Sequence, residues 1–361
     1  MPSAIVLAPD LGIDLPIDAR RALARRVRSA RDAVSVATSE RFFARHPTFS
    51  ERFGAAGKER CREDAAFHLD FLAGAIEVGS MTSFVEYARW TERMLAARDI
   101  DPSCLVENLT DIGAALTVGM DAPQRAVIDA CLHHAEAAIG TDVLLPASPA
   151  NGRWTGARAL FLEAILSGNR RGAAAIAHAS LAEAGSPVDV YVEVFQDALY
   201  AVGRMWESNE ITVAEEHMAT AITQFVIADV YGDLPLAEKT RGRFLMTGVS
   251  GELHQVGALM VADVLDASGF DVRFLGTNMP HSGVVDAITE YRPTAVGISV
   301  TMSFNVAQAA RLIDAVHALP LDPAPRIVLG GAAFRTAPHL AAELDVFGWA
   351  ADARSARALL C

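Results

Sequence analysis

A carboxylate two residues before an imidazole, with a glycine three residues beyond, is an arrangement that can hold a metal. The sequence has it at Glu252-Leu253-His254 and Gly257. A carboxylate so placed accepts a hydrogen bond from one ring nitrogen and leaves the other nitrogen free to bind a metal. Gly257 lets a bulky group come close to the backbone. Farther on, Ser299-Val300-Thr301 supplies hydroxyls and Gly330-Gly331 a patch without side chains. Earlier in the chain stands Trp206, then nine residues, then Glu216-His217. The indole gives a flat apolar face and one donor, and the Glu-His pair a polar handle. Alone, each of these has an ordinary explanation in core packing or solvation; their order along the chain gives them meaning.

The elements that must position them are legible from periodicity. Apolar runs at Phe244–Val249, Val272–Gly276, Ala295–Val300 and Arg326–Gly331 predict strands. Helical patterns follow at 258–267, 281–291 and 305–318, so the order is β-α-β-α-β-α-β-α. His254 therefore sits on the loop leaving the first strand, at the carboxyl edge where open parallel sheets place ligands. Upstream, helices over 156–167, 170–184, 187–206 and 210–232, with short breaks, predict a four-helix bundle. Residues 18–140 also read as helices, with breaks at His46-Pro47, Gly54–Gly57, Asp101-Pro102 and Asp121-Ala122-Pro123. Leu145–Gly152 reads as a linker. The expected division is 1–145, all-helical; 154–235, bundle; and 240–361, parallel sheet.

Composition bounds the function. A length of 361 residues suggests two or three domains, and 52% hydrophobic residues bury a sizeable core. The net charge of −13 disfavours direct nucleic-acid binding. The four cysteines are dispersed, with no Cys-x-x-Cys pair, and no stretch spans a bilayer or resembles a signal peptide. The expectation is a cytoplasmic protein without a membrane partner. No hydrolytic triad or phosphate loop stands out, so no enzymatic activity is expected.

The set Glu252-x-His254-x-x-Gly257, Ser299-x-Thr301 and Gly330-Gly331 resembles the cobalamin-binding domain, with its Asp-x-His-x-x-Gly, Ser-x-Leu or Ser-x-Thr, and Gly-Gly pattern. The resemblance implies a Rossmann-like sheet in which His254 is the lower cobalt ligand in place of the cofactor's own base. It further implies that the nucleotide tail enters a slot lined by Ser299, Thr301 and the glycines. Glu252 stands where many members have Asp. Trp206 with Glu216-His217 resembles the Trp-x9-Glu-His signature of cobalamin photoreceptors, whose bundle caps the upper face of adenosylcobalamin. One departure is Glu207, where the light-sensing repressors of that family carry a second cobalt-binding histidine. Their DNA-binding domain is replaced here by helices.

The N-terminal helices carry Phe67-His68-Leu69-Asp70-Phe71 and Phe84-Val85-Glu86-Tyr87-Ala88-Arg89-Trp90, an aromatic stripe of the kind that usually forms core. Joined to the bundle and sheet, this region resembles the globin-like domain of photocobilins, which implies a bilin such as biliverdin beside His68 and Trp90. Arg89, Arg93 and Arg98 are candidate propionate partners, and Cys61, Cys104 and Cys131 lie in no recognisable attachment motif. The resemblance implies a light sensor acting through a homo-oligomer or a downstream signalling protein. Two alternatives stay open: a corrinoid carrier for methyl transfer, and a heme-globin and cobalamin sensor with His68 as heme ligand. A mutase would need a barrel supplied by another subunit.

Overall fold

The computed structural model describes residues 11–141, 152–336, 338–342 and 344–361; apart from Gly152, the expected linker lies outside them. The chain divides into two compact units, Met1–Val143 and Leu144–Cys361.

The first unit is helical: α1 (Ile17–Arg45), α2 (Pro47–Val78), α3 (Met81–Ala96), α4 (Ser103–Leu116) and α5 (Ala122–Ala138). Leu23, Val27 and Val34 recur at helical spacing on the buried side of α1. Ser80 and Asp121 cap α3 and α5 by accepting from the backbone N–H of Ser83 and Gln124. The break expected at Gly54–Gly57 is a kink rather than an end. Pro47 opens α2, where its missing N–H goes unneeded, and Gly54 bends the helix by taking φ 61°. The bend goes with an aromatic cluster, Phe49 lying 5.2 Å from Phe42 and 5.5 Å from Phe53 between ring centroids.

The second unit joins bundle and sheet. Its helices are α6 (Thr155–Leu166), α7 (Arg170–Glu183), α8 (Pro187–Val190), α9 (Asp197–Glu207) and α10 (Val213–Val230). One π-helical turn, Tyr191–Gln196, connects α8 to α9, so the helix expected at 187–206 is continuous but locally underwound. Within that turn Tyr191 and Phe195 are fully buried. A reciprocal cap between Thr212 and Glu215 starts α10.

The sheet has β1 (Arg243–Gly248), β2 (Asp271–Phe274), β3 (Ala295–Ser299), β4 (Arg326–Gly330) and β5 (Gly348–Ala350), all parallel, in the order β2-β1-β3-β4-β5. Between and after them run α11 (Val256–Ala267), α12 (His281–Tyr291), α13 (Val306–His317), the short α14 (Ala332–Thr336) and α15 (His339–Ala342), and α16 (Ala353–Leu360). Four strands match the sequence reading; β5 is an edge strand of three residues, too short to leave a periodic signal. Register aligns Gly248, Ser299 and Gly330 in one row at the carboxyl edge. The strand order reverses between β1 and β3, which opens a crevice at that edge.

Bundle and sheet share one core in which Val226, Ile227 and Val230 of α10 meet Val256, Met260 and Val264 of α11. Polar contacts cross the same boundary: Tyr231 donates to Asp266 at 2.6 Å, and Arg354 bonds Asp189 (3.0 Å) and Glu193 (2.7 Å). Tyr191 donates to the buried Asp263 at 3.1 Å. Burial pushes the Asp263 carboxyl up to about 7, against the ordinary 3.8. A raised carboxyl contributes stability below its unfolded pKa and loses it as pH rises through the folded value, here between about 4 and 7. Asp263→Asn keeps an acceptor for Tyr191 and removes the charge. The variant is expected to gain on the order of 2 kcal/mol at pH 8 and almost nothing at pH 4, read from urea midpoints at the two pH values.

Candidate functional site

The site grows from the loop after β1. Gly251 takes φ 83°, a left-handed conformation that glycine adopts without cost, and a Cβ there would lie 3.2 Å from the Asn305 side chain. The turn delivers Glu252 into the interior, where it is fully buried, and leaves the His254 side chain 56% exposed. Oε1 of Glu252 accepts from Nδ1 of His254 (2.6 Å) and from its backbone N–H (3.1 Å). Oε2 accepts the backbone N–H groups of Thr301 (2.8 Å) and Met302 (3.1 Å) and the side-chain amide of Asn305 (3.3 Å). One carboxylate thus ties the loop after β1 to the loop after β3, across the crevice where the strand order reverses. Burial by itself pushes the Glu252 carboxyl up, but the His254 ring and the Met302 and Thr301 amides outweigh it and hold it at about 2. The carboxylate is therefore ionised at neutral pH and accepts only. It draws the ring hydrogen to Nδ1 of His254, so Nε2 presents a lone pair toward solvent. This is the wiring of a metal-ligating histidine.

The neighbouring groups divide by what a side chain would meet. A Cβ on Gly257, in the first turn of α11, finds nothing within 4 Å, and one on Gly330 meets only the Ala350 carbonyl at 3.5 Å. Both keep space open at the edge. Gly331 differs: its φ is 101° and a Cβ would fall 2.1 Å from the Val300 carbonyl oxygen, so it is a packing glycine. Ser299 is 5% exposed, and among the described residues its hydroxyl has no hydrogen-bond partner. Thr301 contributes its backbone N–H to Glu252 rather than its hydroxyl.

The bundle reaches the same edge. The Arg335 guanidinium of α14, four residues after Gly331, lies over the Tyr200 ring at 4.5 Å. This contact places the first turn of α9 beside α14, and half-buried Trp206 lies in the last turn of the same helix. Meanwhile Tyr231, just past α10, bonds Asp266 near the far end of α11. The eighteen-residue α10, about 27 Å long, carries its first turns away from that contact. Glu216 and His217 lie there, Nδ1 of His217 within 2.5 Å of Glu216, with the His217 side chain 75% exposed. Glu216 also accepts from the Thr220 hydroxyl at 2.9 Å.

Residues 242–358 match the family described as B12 binding domain, and residues 157–229 match a second B12 binding domain family. The second unit carries B12-binding domains. The HTH-type transcriptional repressor CarH of Myxococcus xanthus is 30% identical over 117 residues, which cover 32% of this chain and 38% of that protein. Dimethylamine corrinoid protein 2 of Methanosarcina mazei is 23% identical over 146 residues, 39% of this chain and 68% of that one. The match thus spans little more than a third of the repressor's length. The monomethylamine corrinoid protein of Methanosarcina barkeri shares the fold, with a TM-score of 0.51 at 20% identity over 57% of this chain and 98% of that one.

The residues of the B12-binding edge fit cobalamin: an imidazole Nε2 oriented by a buried carboxylate, open backbone at Gly257 and Gly330, and the hydroxyl of Ser299 in the same edge row. Gly257→Ala separates binding from folding. It adds a methyl group in open space inside a helix, so the free protein is expected to be unchanged or about 0.5 kcal/mol more stable, with cobalamin affinity lower by about tenfold. Equal affinity in an absorbance titration would show that the open space is not used.

Sequence reasoning missed Asn305 and Asn278. The latter accepts from the Gly251 N–H at 2.9 Å and has φ 56°. Asn305 acts across the crevice and Asn278 ties the loop after β1 to the loop after β2, and no spacing along the chain announces such contacts. In the helical unit, His68 (4% exposed) bonds the Tyr87 hydroxyl, and Tyr87 stacks on Phe71 at 3.6 Å. Trp90 is half-buried, its ring centroid 6.1 Å from that of Tyr87. Arg89 pairs with Glu86 at 2.8 Å. Phe67 departs from the expected stripe, being 44% exposed. No helix among the described residues is long and apolar enough to cross a membrane.

Proposed function

We propose that this protein is a cytoplasmic light sensor that binds adenosylcobalamin at the His254 edge and a bilin such as biliverdin in its helical unit. What supports the reading is the Glu252–His254 relay at the carboxyl edge of the sheet, together with a bundle that shares its core with the sheet domain and carries Trp206 and the Glu216–His217 pair. Adenosylcobalamin, when bound, supplies a light-absorbing corrin whose cobalt–carbon bond breaks on illumination. The chain supplies the rest. His254 fixes the lower face, Ser299 and Gly330 receive the tail, and Trp206 offers a flat apolar surface for an upper group. Removing that group leaves the Trp206 surface uncovered, and the end of the bundle relaxes. The Tyr200–Arg335 contact transmits the shift to α14, beside the tail slot. This is a two-state element biased by a ligand, with a changed interface as output, either between copies of the chain or toward a signalling protein. Glu207, in place of the second histidine, leaves that position without an imidazole to take the vacated side of the metal. No catalytic step is assigned to the chain.

A corrinoid carrier for methyl transfer is the second reading, favoured by the similarity to the dimethylamine corrinoid protein over 68% of its length. The test is size-exclusion elution of the full chain loaded with adenosylcobalamin, in the dark and after illumination, with methylcobalamin run in parallel. The sensor reading expects a light-dependent change in elution that Trp206→Ala diminishes. Elution indifferent to light, together with methyl transfer from the loaded protein to a thiol, would establish the carrier instead.

A further inference from the structure

A second cavity of the B12-binding unit lies at the end of the sheet away from His254. Arg241, one of its walls, stands two residues before β1, whereas His254 follows that strand. The six residues of β1 separate the two ends by about 20 Å. The bundle side supplies the start of α8 and the segment Leu234-Pro235, and the sheet side supplies the end of α11 and α16. The volume is 590 Å³, inside the range of roughly 300–1,000 Å³ that small-molecule sites occupy.

Charge sets this cavity apart. In a chain of net charge −13, it is lined by three arginines and by no aspartate or glutamate. Arg354 is already neutralised, its guanidinium bonding Asp189 (3.0 Å) and Glu193 (2.7 Å). Arg357, three residues on and therefore on the same helix face, donates to the Ser186 hydroxyl at 3.3 Å. Arg241 donates to the backbone oxygen of Cys361 at 3.0 Å. Among the described residues neither Arg241 nor Arg357 has a carboxylate side chain within ion-pair distance. Each guanidinium is a fork of several N–H donors with no acceptor, so both keep donors for a guest. The backbone that carries Arg241 is fixed: its N–H donates to the Gly269 carbonyl at 3.0 Å, and that of Ala237 to the Ala267 carbonyl at 3.0 Å.

The apolar walls, Val188, Leu234, Pro235, Val264 and Ala267 among them, are aliphatic, and no aromatic ring lines the cavity among the described residues. Such walls suit an alkyl or acyl body and give a planar base nothing to stack on. Two guanidiniums match a doubly charged head better than a singly charged one. A phosphate monoester near neutral pH is such a head, and arginine grips it bidentately.

We propose that this cavity is a second ligand site, and that it takes an aliphatic phosphate monoester whose phosphate lies between Arg241 and Arg357. Its walls come from both the bundle and the sheet domain, so an occupant joins the two. The site stands whether or not the opposite edge senses light.

Calorimetric titration of the full chain with n-hexyl phosphate tests it, the protein being loaded with adenosylcobalamin and kept dark. Loading keeps the probe from the slot proposed for the cofactor's tail. The expected result is saturable binding, with affinity about tenfold lower in Arg357→Gln and in Arg241→Gln, each losing a charge-assisted contact. Arg243→Gln should stay within about twofold of the parent, since that guanidinium lies over the Tyr291 ring, outside the cavity. Hexanoate, with one charge, should bind about fivefold more weakly or worse. A second readout locates the ligand and does not depend on the arginine variants folding. Cys361 is the exposed one of the four cysteines and lines the cavity. Saturating hexyl phosphate should therefore slow its alkylation by iodoacetamide severalfold, a signal that Cys361→Ser removes. Absence of saturable binding overturns the proposal, as does affinity indifferent to both arginine substitutions or an undiminished alkylation rate at saturation. Binding seen only before cobalamin is loaded would place the phosphate at the B12-binding edge instead. Hexanoate bound as tightly as hexyl phosphate would overturn the assignment of the head group.

Discussion

Glu252→Gln is expected to lower cobalamin affinity by 10- to 100-fold while the protein remains folded, the range seen when a metal ligand's supporting partner is altered. Glutamine has nearly the volume of glutamate, so the buried space stays filled. Its amide oxygen satisfies the N–H groups of Thr301 and Met302, which the carboxylate now meets at 2.8 and 3.1 Å. Its NH₂ group then faces Nδ1 of His254. A donor there forces the ring to accept, moves the hydrogen to Nε2, and removes the lone pair the metal needs. The variant tests the wiring of His254 and not merely its presence. The pH dependence carries a second signature. The Glu252 carboxyl sits at about 2 in the folded protein against an ordinary 4.5, so its contribution is complete above pH 4.5 and disappears as pH falls through 2. The parent protein should lose about 3 kcal/mol across that window through this group, and the glutamine variant should not. Cobalamin titrations at pH 7 and acid unfolding followed by circular dichroism give both results; parental affinity in the variant would refute the relay.

Gly331→Ala is expected to damage the fold itself. The added methyl carbon would lie 2.1 Å from the Val300 carbonyl oxygen, 2.5 Å from its carbon and 2.8 Å from its nitrogen, at a φ of 101°. Backbone, unlike the end of a flexible side chain, cannot step aside cheaply. Strained dihedrals cost about 1–3 kcal/mol before any clash is counted, so a loss of about 3 kcal/mol or more follows for the parallel sheet. Urea unfolding should show the lower midpoint with or without cobalamin present. A variant as stable as the parent, impaired only in cofactor binding, would return Gly331 to the ligand slot. The contrast with Gly257→Ala is the informative part, because the two glycines belong to the same sequence pattern and serve different ends.

How far the sequence led depends on where each feature is encoded. The strands β1, β3 and β4 announce themselves because burial on both faces requires continuous apolar runs such as Phe244–Val249. The loop carrying His254 followed from the strand before it and the helix after it. The kink in α2 was read as a break because glycine weakens a helix locally, while the aromatic packing around Phe49 and Phe53 that accompanies the bend is tertiary. The fifth strand was invisible because three residues carry no period. Asn278, Asn305 and the Tyr200–Arg335 contact join residues tens or more than a hundred positions apart. Nothing in their local sequence marks them. The roles of Gly331 and Thr301 were legible as positions but not as mechanisms, since only geometry shows which atom a backbone group meets.

The central claim is that Nε2 of His254 bonds the cobalt of bound cobalamin in place of the cofactor's own base. Electron paramagnetic resonance of the reduced cobalt(II) form, prepared on protein grown with ¹⁵N-imidazole histidine, tests it directly. A nitrogen nucleus coupled to the unpaired electron gives a triplet as ¹⁴N and a doublet as ¹⁵N. The account predicts that labelling converts the splitting from triplet to doublet and that His254→Ala abolishes the conversion. A triplet that persists in the labelled protein would mean that the nitrogen on cobalt is not a histidine's, and the site described here would not be the one that holds the metal.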